Sequence, residues 1–244
     1  MQNDATGLSP VFYARAAGIG YLIIIVAGLF GELVVRSNLV VPGDAAATAA
    51  NLITSGLRFR FGLAAELVML AADVLVAVAL YVLLEQFSKG LALLAAFYRL
   101  VHAAVVGANL LNGYAPSLFM SEAGHLEAFT DQQRNAMAMT AFDLHSYGYA
   151  LGLAFFGAHC LVLGYVALRS RFAPRLLGAL LMVAGVGYLI DWLGRTLLSN
   201  YRDYQMIFTV VVFLPAFVGE LSFALWLLWK GGQDPTSRGV SIAE

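Results

Sequence analysis

Charge is scarce in this chain. Of 244 residues, 12% are Asp, Glu, Lys or Arg, roughly half of the ~25% ordinary for soluble domains. Hydrophobic residues make up 61%, and the mean hydropathy is +0.79. That leaves too little polar material to clothe a soluble fold of this size. The shortage excludes disorder and a disulfide scaffold, and it argues against a soluble enzyme. Net charge is −1, so no basic footprint exists and nucleic acid is not an expected partner. Cysteine is nearly missing too. Cys160 alone can form neither an internal disulfide nor a Cys-based zinc site. In its apolar stretch it reads as a small hydrophobe.

Sequence motifs of catalysis are also lacking. There is no His-Glu-x-x-His run, no Ser or Cys nucleophile with an obvious base, and no convincing internal repeat. No small-x-small cleavage site follows the first apolar run, which is therefore expected to remain as an anchor rather than leave as a signal peptide.

Long apolar runs are what the chain does have. Crossing a hydrocarbon core of about 30 Å takes roughly 20 apolar residues in a helix. Six segments qualify, near 12–35, 59–84, 89–112, 134–167, 174–198 and 204–229. The expectation is an all-α, six-span transmembrane bundle in which residues 1–244 form one integral membrane domain and the lipid bilayer is the main partner. End signals fit these limits. Ser9-Pro10 offers an N-cap and an N1 proline. Thr130 and Gln133 have capping-box spacing. Pro174 opens the fifth span, Gly231-Gly232 closes the sixth, and Pro215 should kink it. Asp44, after Pro42-Gly43, could cap a short interfacial helix. Gly148 and Gly152 form a small-xxx-small pair that admits a close neighbour. Tyr114, Trp192, Tyr201 and Tyr204 gather at one set of ends, and Phe12, Tyr165, Trp226 and Trp229 at the other, as aromatic belts do.

Six spans put both termini on one side. The short connection with Arg169, Arg171 and Arg175 is the strongest cue that this side is inside. Arg15, Lys89, Lys230 and Arg238 share it, against Arg36, Arg58, Arg60, Arg134 and Arg202 outside, so the expectation is N-in, C-in.

Several short strings then carry a resemblance. They are Arg15-Ala16-Ala17-Gly18 through Tyr21-Leu22, Val41-Pro42-Gly43-Asp44-Ala45 with Thr48 and Asn51, Asp73, Ala79-Leu80-Tyr81, and Tyr98-Arg99-Leu100. With them the chain resembles the bacterial multi-pass membrane family known as domain of unknown function 4386, more loosely over most of its length. The resemblance implies a multi-helix protein of the bacterial inner (plasma) membrane. It implies no catalytic assignment.

Charged side chains inside the spans need a reason, since each costs at least about 2.5–3.5 kcal/mol at mid-membrane. A rise of 1.5 Å per residue turns position into depth. Glu66 and Asp73 lie about 10 and 21 Å from Phe59, and Asp143 and His145 about 13–16 Å from Arg134. Arg99 and His102 lie about 15 and 20 Å above Lys89, and Asp191 about 25 Å above Pro174. These seven groups are expected to share one slab and to line an outward-facing polar pocket between the second, third, fourth and fifth spans. Glu32, Asn109, Asn112 and Arg195, with Arg36, are placed at its mouth. Asp73 and Arg99 are an expected ion pair, and Asp191 can pair with Arg195 four residues on. His159 and Glu220 fall in the inner half and read as separate structural contacts.

With His neutral the slab holds four acids and one arginine, so surplus acids must be protonated, hydrated or bound to a cation. The leading expectation is binding or transport of a cation, a proton or a small amine-bearing molecule. The alternative is a metal-dependent, hydrolase-like intramembrane enzyme with ligands drawn from His102, His145, Asp143 and Asp73, and Glu66 or Asp191 activating water. A third reading is haem held by His102 and His145, which have similar depth.

Overall fold

The computed structural model describes residues 8–170 and 172–231, apart from the side chain of Arg202. Gly232, Arg171 and Arg238, invoked above, lie outside the described residues. Among those described there are helices and turns and no strand. In chain order the helices are α1 (Pro10–Leu29), a π-helical segment Phe30–Arg36, α2 (Ser37–Leu39), α3 (Ala45–Thr54), α4 (Gly56–Leu84) and α5 (Lys89–Phe119). A 3-10 turn Gly124–Ala128 leads to α6 (Asp131–Arg169) and α7 (Arg175–Leu197). Then α8 (Tyr201–Phe208), a second π segment Thr209–Phe213 and α9 (Leu214–Lys230) follow. Six helical stretches are long and apolar enough to cross a membrane: Pro10–Leu39, Gly56–Leu84, Lys89–Phe119, Asp131–Arg169, Arg175–Leu197 and Asp203–Lys230. The chain is therefore a multi-pass integral membrane protein, all-α, with the six spans expected from its hydropathy.

The capping signals work as chemistry requires. Phe12 N–H donates to Ser9 Oγ at 3.2 Å. Thr130 and Gln133 form the reciprocal box, with Thr130 N–H donating to Gln133 Oε1 at 2.9 Å and Gln133 N–H to Thr130 Oγ1 at 3.3 Å. The Asp44 carboxylate accepts from Ala47 N–H at 2.8 Å and starts α3, the short helix anticipated there. Two limits differ. The third span runs on to Phe119 through Pro116, so the loop expected over 113–133 shrinks. Arg134 closes it by donating to the Phe119 and Ser121 carbonyls at 2.8 and 2.6 Å, taking up carbonyls at the end of α5. Pro215 falls at the start of α9, directly after the π segment. Proline lacks an N–H and crowds the carbonyl four residues back, and a widened turn relieves both.

The chain divides into two compact units. Among the described residues, unit 1 comprises 8–22, 72–103, 152–170 and 172–231, and unit 2 comprises 23–71 and 104–151. Unit 2 is built on Val35, Leu39, Leu52, Phe59, Leu63 and Phe142. Gly62 admits Val35 here, since a Cβ on it would come within 2.8 Å of Val35 Cγ1.

Unit 1 buries Tyr21, Val76, Leu80, Leu163, Leu181, Phe223 and Leu227. Its α6 and α7 meet through glycines seven apart on each helix. A Cβ on Gly157 would lie 2.8 Å from the Gly185 carbonyl oxygen, and one on Gly164 would lie 2.6 Å from that of Gly178. The reciprocal distances, 2.6 Å from Gly185 and 2.8 Å from Gly178, are as short. Only glycine allows backbones this close, and close approach supplies the dispersion contact that binds helices in lipid. This four-glycine seam was not anticipated. Two aromatics assigned to the belts are instead buried. Tyr201 is drawn to Asp191, and Trp226 meets Phe172 edge-to-face and stacks on Phe223, with centroids 5.2 and 5.9 Å apart.

Candidate functional site

Unit 1 holds the most deeply buried charges. Asp73 of α4 and Arg99 of α5 are 1% and 0% exposed, so neither charge is served by solvent. Arg99 Nη2 lies 2.8 Å from Asp73 Oδ1, the ion pair expected from their depths. The other oxygen, Oδ2, faces His102 Nε2 at 3.6 Å. His102 sits one turn beyond Arg99, so one face of α5 supplies both partners.

The guanidinium is shared more widely. Its Nη1 donates to Tyr21 Oη at 2.9 Å and lies 3.1 Å from His159 Nε2. His159 Nδ1 lies 2.9 Å from the Ala95 carbonyl oxygen. A carbonyl only accepts, so Nδ1 carries the hydrogen and Nε2 offers a lone pair to the guanidinium. His159 therefore reads the fork as an acceptor, which a charged imidazolium could not do. Arg99 Cζ also stands 4.5 Å from the Tyr21 ring centroid and 5.1 Å from that of Phe156. The planar fork thus serves a carboxylate, a phenol, an imidazole and two rings at once, a set that lysine cannot match.

His159 corrects the sequence reading, which set it apart from the charged slab. Depth was counted from helix ends. But α6 has 39 residues, about 58 Å at 1.5 Å each and nearly twice a hydrocarbon core. Counting from its end therefore misplaces residues along it. Tyr21, which entered only as part of the string that carries the family resemblance, was not expected in the charged network. Its one signal is a phenol midway along an apolar helix, and a buried hydroxyl needs a partner.

The other expected residues form separate groups. In unit 2, Glu66 Oε1 lies 3.3 Å from His145 Nε2. Asn109 Nδ2 donates to the His145 carbonyl at 2.8 Å, and Asn112 Nδ2 to Asn109 Oδ1 at 3.0 Å. Gly148 makes room for Asn109, whose Oδ1 would stand 2.1 Å from a Cβ there. Asp143 is half-buried and engaged as well. In unit 1, Asp191 accepts from Arg195 Nε at 2.8 Å and from Tyr201 Oη at 2.5 Å. Burial first, and then the Asp191 carboxylate, hold the Tyr201 phenol above its usual ionisation range. The exposed Glu32 and the half-buried Arg36 make an i,i+4 pair at 3.9 Å in the π segment.

The seven slab residues are thus distributed as Asp73–Arg99–His102, Glu66–His145, Asp191 with Arg195, and Asp143. Among the described residues, no three His, Cys, Asp or Glu side chains are disposed to hold a metal ion. Of the set His102, His145, Asp143 and Asp73, the first and last meet in unit 1, while the other two belong to unit 2. A cleft of about 330 Å³ in unit 2 involves other residues, among them Ala49, Ile53, Met120, Asp131 and Arg134.

Comparison with known proteins bears on this arrangement. Residues 16–231 match the family described as Domain of unknown function (DUF4386). An uncharacterized protein of Archaeoglobus fulgidus is 35% identical over 160 residues, which span 65% of this chain and 76% of that protein. No solved structure matches the chain.

Proposed function

We propose, from the premise that this chain belongs to the DUF4386 family, that it binds or transports protons through the buried network centred on Asp73. One observation carries the reading: the two oxygens of a carboxylate 1% exposed are divided between a permanent cation, Arg99, and a protonatable base, His102. Asp73 and Arg99 already balance in charge. A metal ion or an amine arriving at Asp73 would meet the guanidinium 2.8 Å from Oδ1, and like charges so close repel strongly in a dry interior. A proton needs no such room. The carboxylate only accepts, so His102 Nε2 already carries the hydrogen that faces Asp73 Oδ2, and an incoming proton adds at the other ring nitrogen, Nδ1. The disposition of donors favours this reading over the metal-dependent enzyme and the haem protein.

Other ionisable groups face Asp73 and set its field. They are Arg99 and His102 from α5, His159 and Cys160 from α6, and Glu220 from α9. Tyr21 of α1 reaches it through Arg99. The N-in, C-in orientation belongs to the same proposal, supported by Arg169 and Arg175 beside one short connection.

The test is proton movement in sealed vesicles. Purified protein, reconstituted around an entrapped pH dye, is given a pH step under a clamped membrane potential. Wild-type protein is expected to relax the step faster than empty vesicles, and Asp73→Asn and His102→Gln to fall to the empty-vesicle rate. Relaxation of the Asp73→Asn vesicles at the wild-type rate would overturn the proposal.

A further inference from the structure

A second buried carboxyl lies in unit 1, not hydrogen-bonded to the Asp73–Arg99 pair. Glu220 of α9 is 7% exposed, and Tyr188 Oη of α7 donates to its Oε1 at 2.6 Å. The partner is a neutral hydroxyl and no permanent cation, unlike the pairing of Asp73 with Arg99. A tyrosine needing only an acceptor is satisfied by glutamine, by asparagine or by a free carbonyl. An ionisable acid in that place adds insertion cost that helix packing alone does not require.

The pair is also tied to the network by one ring. Phe156 of α6 has its centroid 5.6 Å from that of Tyr188 and 5.2 Å from that of His102. His159 stacks on it at 5.6 Å, and Arg99 Cζ stands 5.1 Å from its centroid. The ionisable groups facing Glu220 come from five other helices: Tyr21 of α1, Asp73 of α4, Arg99 and His102 of α5, Cys160 of α6 and Tyr188 of α7.

We propose that Glu220 is a second proton-binding site of this protein, a carboxyl that takes up a proton on Oε2 while Tyr188 holds Oε1. The ligand is the proton itself, exchanged with no change in heavy-atom bonding. This rests on the proton reading of the Asp73 network and adds a second acceptor, whose partner Tyr188 packs on Phe156. Protonated, Glu220 is a neutral acid held by one hydrogen bond. Deprotonated, it is an anion whose hydrogen-bonded partner is still only a phenol, and whose main source of positive field is Arg99.

Infrared spectroscopy of the reconstituted protein reads this without any transport. A protonated carboxyl has a carbonyl-stretch band that ionised carboxylates lack, and a buried one absorbs apart from the solvent-exposed acids of this chain, which also protonate at low pH; the band followed here is that separate buried-carboxyl component. Wild-type protein is expected to show such a band at low pH and to lose it as pH rises. Glu220→Gln should lack the band, whereas Asp73→Asn should keep it. Tyr188→Phe should keep it at a shifted frequency, because the hydrogen bond to Oε1 is gone; this variant decides the matter if Glu220→Gln does not fold. A band retained in Glu220→Gln, absent from wild type at every pH, or unmoved in Tyr188→Phe would overturn the proposal, as would one that persists at every pH. An intact Glu220 band beside unimpaired proton movement in Asp73→Asn would remove the reading of Asp73 as the proton site and leave this site standing.

Discussion

Replacing Arg99 by methionine is the sharpest test of the buried network. Methionine keeps much of the length and all of the helix propensity, so what changes is charge and hydrogen bonding. Asp73, 1% exposed, loses the guanidinium 2.8 Å away and keeps only His102 at 3.6 Å. Tyr21 Oη and His159 Nε2 lose the donor that met them at 2.9 and 3.1 Å. Breaking a buried ion pair by removing one partner costs about 3–5 kcal/mol, because the remaining charge is left uncompensated. For a chain of this size 1 kcal/mol corresponds to about 2–4 °C in Tm, which puts the expected fall at roughly 6–20 °C. Thermal unfolding in detergent, followed by loss of helical circular dichroism, measures it. The double variant Asp73→Asn with Arg99→Met separates charge from packing. It removes the stranded charge and leaves only the lost hydrogen bonds to Tyr21 and His159, so it should recover a good part of the fall. A double variant as unstable as the sum of the two single ones would refute the argument from uncompensated charge. So would an Arg99→Met protein melting within about 2 °C of wild type, less than 1 kcal/mol on the same scale.

Two further expectations follow. Gly164→Val puts a branched side chain where even a Cβ would stand 2.6 Å from the Gly178 carbonyl oxygen. Overpacking of this kind costs about 1–3 kcal/mol, so Tm should drop measurably, while Gly90→Val, with nothing within 4 Å of its Cβ, should not produce a steric drop. The Tyr201 phenol is held above its ordinary value of 10.0 by burial and by Asp191. A raised value in the folded state gives stability that is complete below the unfolded value and declines as pH climbs past it. Tyr201→Phe should therefore flatten the alkaline limb of Tm against pH; a limb as steep as wild type would count against the Tyr201–Asp191 contact.

The two buried carboxyls of unit 1 illustrate how unequal sequence signals are. Asp73 was legible because Arg99 lies at matching depth on the next span, and opposite charges at one level of a membrane seek each other. Glu220 was read as a separate structural contact because counting along the sixth span put it in the inner half, away from the slab. Its partner is a tyrosine on another helix, and tyrosines are too common in apolar spans to mark a site. The glycine seam between α6 and α7 shows the same limit. Gly148 and Gly152 drew notice at a spacing of four, yet the backbones meet at Gly157, Gly164, Gly178 and Gly185, spaced seven apart on both helices. A spacing becomes a contact only when a partner helix repeats it in register.

Composition and hydropathy by themselves determined the class of solvent, the number of spans and most helix ends. Those depend on one residue and its near neighbours: an apolar run either is or is not long enough, and a Thr130 or Asp44 either does or does not reach an N–H three residues on. Which polar groups meet was decided only by tertiary structure. Rotation about a helix axis and sliding along it are invisible in a linear string, and a difference of one turn changes which partner a side chain faces. Two helices of equal hydropathy can thus present Asp73 to Arg99, or Glu66 to His145, and only packed backbones choose between such arrangements.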